Sequence, residues 1–78
     1  MLVLLVEDER DLAELVADYL EAEEIECDFA FDGTMALSLI KRNTYDVIVL
    51  DVSMPKLDGF ALAEKLQAEQ SRTPIIFM

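Results

Sequence analysis

Leu2-Val3-Leu4-Leu5-Val6-Glu7-Asp8-Glu9 is the stretch that decides the fold: five apolar residues in a row, then three acids. An apolar run with no polar alternation reads as a strand covered on both faces, as in a parallel sheet with helices above and below. The same pattern returns at Val47-Ile48-Val49-Leu50-Asp51, rich in β-branched residues and again closed by an acid. The two strands are expected to be fully buried and to lie side by side.

The segments around them fill in the alternation. Leu12, Leu15, Val16, Tyr19, Leu20 and Glu23 follow helical spacing with only the last position polar, which predicts a helix from Arg10 to Glu23. Acids in its first turn suit the helix dipole. Ile25, Cys27 and Phe29 alternate with Glu26 and Asp28, the pattern of an edge strand with one solvated face. Asp32 and Gly33 make a turn, and Asp32 can cap a second helix that carries Ala36, Leu37 and Ile40 inward as far as Arg42. Asn43 and Thr44 punctuate its end. A loop containing Met54, Pro55, Asp58 and Gly59 leads to a third helix with Leu62, Ala63 and Leu66 as its buried stripe. Ser71 to Pro74 connect it to a last strand, Ile75 to Met78. The order βαβαβαβ with short connections predicts an α/β three-layer sandwich built from right-handed crossovers around a parallel sheet.

At 78 residues the chain holds one domain at most. Hydrophobic residues at 54% beside charged residues at 29% describe a packed core with a solvated surface and exclude a disordered tail. A formal charge of −11 is the wrong sign for a nucleic-acid backbone or an anionic membrane. The apolar run from Met1 to Val6 falls far below the ~20 residues of a membrane span and lacks the basic flank of a signal peptide. A cytoplasmic protein is expected, with its single cysteine, Cys27, a reduced thiol.

Ligands of open α/β sheets bind outside the carboxyl ends of the strands, where this chain places Glu7, Asp8 and Asp51. Any one of them alone is an ordinary acid in a βα loop. Together, on neighbouring strands, each pair at 4 Å would repel by ~4 kcal/mol at an effective dielectric of 20. Either a shared proton raises one pKa, or a hard divalent cation occupies the site; magnesium suits two carboxylates plus waters.

Val6-Glu7-Asp8-Glu9, Asp51 closing a buried strand, and Met54-Pro55-Lys56-Leu57-Asp58-Gly59 together resemble the receiver domain of a bacterial two-component response regulator. The resemblance runs the length of the chain. It implies a flavodoxin-like doubly wound parallel sheet in order 2-1-3-4-5, of which residues 1–78 would supply a partial receiver domain with strand order 2-1-3-4 and three helices. It implies that Asp51 is the phosphoacceptor, attacking a phosphoryl group carried on a phosphohistidine of a sensor histidine kinase. Mg2+ would be held by Asp8 and Asp51, by the backbone carbonyl of Ser53, and by Glu7 through water; the family usually has Asp at the Glu7 position. The Ser53 side chain would be free to tune hydrolysis of the acyl phosphate. Phosphoryl transfer of this kind needs in-line positioning and a bridging cation more than covalent help. An output domain, transcriptional by analogy, would follow.

The other motif residues have plainer readings. Pro55 and Gly59 shape the loop that presents Asp51, Asp58 caps the third helix, Lys56 is a solvated lysine, and Met54 and Leu57 face the core. Tyr19 and the four phenylalanines read as packing. In the family, a Ser or Thr after the fourth strand and a Lys after the fifth engage the phosphoryl oxygens. Both positions would lie beyond Met78, so the chain as given is expected to lack the switching apparatus and to leave its fourth strand as an apolar edge able to pair with a second copy. That expectation supports an alternative function, a non-phosphorylated module acting through protein association. A haloacid-dehalogenase-type phosphohydrolase also ends a strand on a nucleophilic Asp. Such enzymes need a second Asp two residues on, where this chain has Ser53.

Overall fold

The computed structural model describes residues 1–51, 59–70 and 72–78. Four strands, β1 (Leu2–Val6), β2 (Glu26–Ala30), β3 (Val47–Leu50) and β4 (Ile75–Phe77), alternate with three helices, α1 (Arg10–Ala22), α2 (Gly33–Arg42) and α3 (Gly59–Glu69). All pairings are parallel and the spatial order is β2-β1-β3-β4, with β2 at one edge as its alternation predicts. The architecture is the doubly wound three-layer sandwich expected.

The register explains why β1 must be apolar throughout. Val6 stands between Ala30 on β2 and Leu50 on β3, with no edge exposed to water. Leu4 and Val6 join Ala30, Ile48 and Leu50 in one cluster with Ala36 and Ile40 of α2 and Leu62, Ala63 and Leu66 of α3. Val3 and Leu5 are equally buried but belong to the opposite face, where α1 lies, its own buried positions being Ala13 and Ala17. Asp32 caps α2 as predicted, its Oδ1 accepting from the Met35 amide at 2.7 Å.

Burial departs from the sequence expectation on the α1 face. Leu15 and Tyr19 are 67% and 69% exposed. Small residues set the contact: Ala13 and Ala17, one turn apart, let the helix approach the sheet closely, and this rotates the buried stripe away from Leu15 and Tyr19. Leu12, Val16 and Leu20 remain half-buried at its margin. The same face leaves Val47 and Val49 half-buried, so β3 is fully covered only at Ile48 and Leu50. The aromatic residues expected in the core are largely outside it as well. Phe29 and Phe31 are half-buried, while Phe60 and Phe77 are exposed and pack on each other with ring centroids 5.3 Å apart. Among the described residues Tyr45 is the largest fully buried side chain instead.

Tyr45 also qualifies the picture of a solvated face on β2, where Glu26 is exposed but Asp28 is half-buried. Its hydroxyl donates to Asp28 Oδ2 at 2.8 Å and accepts from Asn43 Nδ2 at 3.4 Å. Burial, and then the Asp28 carboxylate, push the Tyr45 pKa up to about 12, so it stays a donor across the physiological range. Gln70 completes this layer. Its Nε2 donates to the carbonyls of Ile40 at 2.7 Å and Asn43 at 2.5 Å, while its Oε1 accepts from the Tyr45 amide at 3.3 Å. Thr73 Oγ1, buried at 3.0 Å from Gln70 Oε1 and 3.1 Å from the Tyr45 carbonyl, has one proton for either. One amide side chain thus ties the end of α2, the entry to β3 and the turn before β4 at the base of the sheet, opposite the strand ends that carry the acids.

Candidate functional site

The parallel ladder that buries β1 and β3 also delivers their acids to one place. Glu7 follows the last β1 residue and its amide donates to the Ala30 carbonyl at 3.0 Å, while the Asp51 amide donates to the Val6 carbonyl at 3.0 Å. Backbone hydrogen bonds of the sheet therefore hold both acids at its carboxyl end, on adjacent strands. Glu7, Asp8 and Asp51 each offer a carboxylate oxygen, and these oxygens all lie within 4.8 Å of one another. Asp8 is exposed, whereas Asp51 is 7% exposed and Glu7 only 1%.

Burial of this kind is costly for a carboxylate. Glu7 Oε1 accepts from the Glu9 amide at 3.1 Å, but Oε2 is buried with no hydrogen-bond partner among the described residues. Desolvation, reinforced by the Asp51 carboxylate, raises the Glu7 pKa to about 7. The alternatives left by the sequence, a shared proton or a cation, both answer the same orphaned oxygen. An all-oxygen donor set with one buried, unsatisfied atom suits a hard divalent cation, and Mg2+ fits it.

Of the other expected site residues, Ser53 and Pro55 lie outside the described residues, as do Met54, Lys56, Leu57 and Asp58. Gly59 is the first residue of α3. Sequence reasoning overlooked Arg10. Its guanidinium carbon lies 4.5 Å from the centroid of the Phe31 ring, which stacks on Phe29 with centroids 5.9 Å apart. An Arg at the start of α1 and a Phe just past β2 carry no local pattern that would link them; only the β1–β2 pairing does.

With this geometry in place, the family model for the response regulator receiver domain matches residues 3–78. The chain belongs to the response regulator receiver family. Among curated proteins, this receiver is similar to the transcriptional regulatory protein RprY of Bacteroides fragilis, 40% identical over 97% of the chain and 32% of that relative. Among solved structures, it matches the receiver domain of Francisella response regulator 1452 with a TM-score of 0.87 and 41% identity, over 97% of this chain and 63% of that one. It also matches the Thermotoga maritima response regulator TrrA in complex with Mg2+–BeF, with a TM-score of 0.89 and 32% identity, over 97% of this chain and 66% of that one. TrrA has been solved with the histidine kinase ThkA as well. The receiver spans about a third of the length of the curated relative. Among the described residues no helix is long and apolar enough to cross a membrane.

Proposed function

We propose that this receiver takes a phosphoryl group from the phosphohistidine of a sensor histidine kinase onto Asp51, and in its parent protein controls a transcriptional output. The observation that carries the reading is the convergence of Glu7, Asp8 and Asp51 within 4.8 Å at the carboxyl end of adjacent strands. The Mg2+–BeF and kinase complexes of TrrA support it by similarity.

The division of labour proposed for these residues is the one the family resemblance implies, and their exposure supports it. Asp51, buried at the strand end with its backbone held by the ladder, supplies the attacking oxygen. Asp8, exposed beside it, would ligate the cation directly; the resemblance adds the Ser53 carbonyl as a further ligand and Glu7 through the water shell. Mg2+, when bound, neutralises the charge shared between the Asp51 carboxylate and the phosphoryl oxygens. Incubation with phosphoramidate and Mg2+ should add one phosphoryl mass to the chain, and Asp51→Asn should abolish the addition; an unmodified wild type, or an equally modified variant, would refute the role of Asp51.

Mg2+ should also stabilise the protein, by ~1.4 kcal/mol at tenfold over its dissociation constant. Thermal midpoints measured with and without millimolar Mg2+ should differ for wild type and coincide for Asp8→Ala. A wild-type midpoint indifferent to Mg2+ argues against the cation site.

A second reading, a module acting through protein association, is favoured by β4. Among the described residues it is paired on one side only, with Ile76 and Phe77 54% and 44% exposed. On that reading the chain self-associates, and sedimentation should show a dimer or larger species at micromolar concentration; a monodisperse monomer would dismiss it.

A further inference from the structure

Arg10 stands where a cation is least expected. It opens α1, at the positive end of the helix dipole, and four acids, Glu7, Asp8, Glu9 and Asp11, lie within three residues of it in the chain. Among the described residues its side chain nevertheless forms no ion pair and no hydrogen bond. Its guanidinium rests on the face of Phe31, which Phe29 backs in turn. A stacked guanidinium keeps its edge N–H groups free while losing much of its conformational freedom, so it is prepared to receive an oxyanion.

Topology sets where that oxyanion would be. Phe31 directly follows Ala30, whose register partner is Val6 and whose carbonyl holds the Glu7 amide. Arg10 is therefore moored at the same end of the sheet as the three carboxylates, on the β2 side of β1, while Asp51 stands on the β3 side. Two strand spacings, roughly 10 Å, separate the two flanks. While it stays on Phe31, Arg10 does not touch a group already on Asp51; because its backbone follows the central strand β1, between the two flanks, its side chain can swing off the ring and deliver a captured phosphoryl group toward Asp51. Its place on Phe31 suits first contact with an incoming phosphoryl donor, whose approach the carboxylates otherwise oppose.

We propose that Arg10 is a positioning residue that captures the phosphoryl-bearing end of the donor before transfer, an inference that rests on the reading of Asp51 as phosphoacceptor. The captured group is a phosphoryl oxyanion, the chemistry common to a phosphohistidine and a small phosphoramidate. In the transfer that follows, an Asp51 oxygen bonds to phosphorus, the P–N bond of phosphoramidate in its N-protonated form breaks, and nitrogen, already carrying its three protons, departs with the electron pair as ammonia. Arg10 acts on encounter and leaves the bond-making step to Asp51.

The test measures the rate of phosphoryl uptake against phosphoramidate concentration by mass, at saturating Mg2+. Arg10→Ala should raise the half-saturating concentration roughly tenfold with the limiting rate changed less than twofold, and Arg10→Lys, which keeps the charge but not the stacked planar fork, should recover only part of the loss. An unchanged half-saturation in Arg10→Ala, even with a lowered thermal midpoint, would make Arg10 merely structural and overturn the proposal. The Arg10 Nε–H resonance gives a readout independent of transfer. Titrating phosphoramidate into the wild-type chain should displace it saturably. Displacement without phosphoryl uptake would sustain the Arg10 role and refute that of Asp51, whereas a signal that does not move overturns the Arg10 role whether or not Asp51 is modified.

Discussion

Replacing Glu7 by Gln should stabilise the metal-free protein by roughly 3 kcal/mol at pH 8 and by almost nothing at pH 4. Glu7 is 1% exposed, with one carboxylate oxygen lacking a partner among the described residues, and its pKa is raised from 4.5 to about 7. Below pH 4.5 the side chain is protonated in both folded and unfolded chains, so it adds no pH dependence. Between pH 4.5 and 7 the unfolded chain releases the proton while the folded one retains it, and stability must fall as pH rises. Above pH 7 the full cost is present and constant. Gln mimics the protonated acid in shape and never bears the charge. Urea midpoints recorded from pH 4 to pH 8 in the presence of a chelator should diverge across that window. Parallel curves for wild type and Glu7→Gln would mean that Glu7 titrates as an ordinary surface acid.

The slope has a functional counterpart. A crevice that carries a proton on Glu7 in the absence of metal must lose it when a divalent cation arrives, so Mg2+ affinity is expected to rise with pH over the same interval.

Gln70→Leu should cost about 3 kcal/mol, because it removes the partners of two part-buried backbone groups, the Ile40 carbonyl and the Tyr45 amide, along with that of the more exposed Asn43 carbonyl. Domains of this size hold only ~4–12 kcal/mol in total, so the thermal midpoint should drop by more than about 10 °C. Glu69→Leu, one residue away and exposed, serves as the control and should move it by only a degree or two. Equal midpoints for the two variants would show that water replaces the amide without loss.

What could be read in advance depended on how locally each feature is encoded. The strand β1 was legible because burial on both faces demands an unbroken apolar run, β3 because its run of β-branched residues marks a strand even though only Ile48 and Leu50 are fully covered, and β2 because an edge permits alternation. The Asp32 cap was legible because a cap acts within three residues of itself. The carboxylate cluster was legible in outline, since the acids terminate strands whose adjacency the pattern implies. Leu15 and Tyr19 were misjudged for a related reason: helical spacing shows that an apolar stripe exists but not which edge of it the sheet contacts. Ala13 and Ala17 decided that by their small size.

By itself, then, the sequence determined the order of elements, the parallel sheet and the convergence of Glu7, Asp8 and Asp51, all consequences of periods of two and 3.6 residues and of the rule that strand ends gather ligands. Only the tertiary structure decided which carboxylate oxygen is orphaned, that Arg10 rests on Phe31, and that Tyr45 and Gln70 lock the base of the sheet. Those contacts join residues far apart in the chain, 17 positions for Tyr45 and Asp28 and 30 for Gln70 and Ile40. No local period encodes such a pairing; it exists only once the crossovers have brought the strands and helices into register.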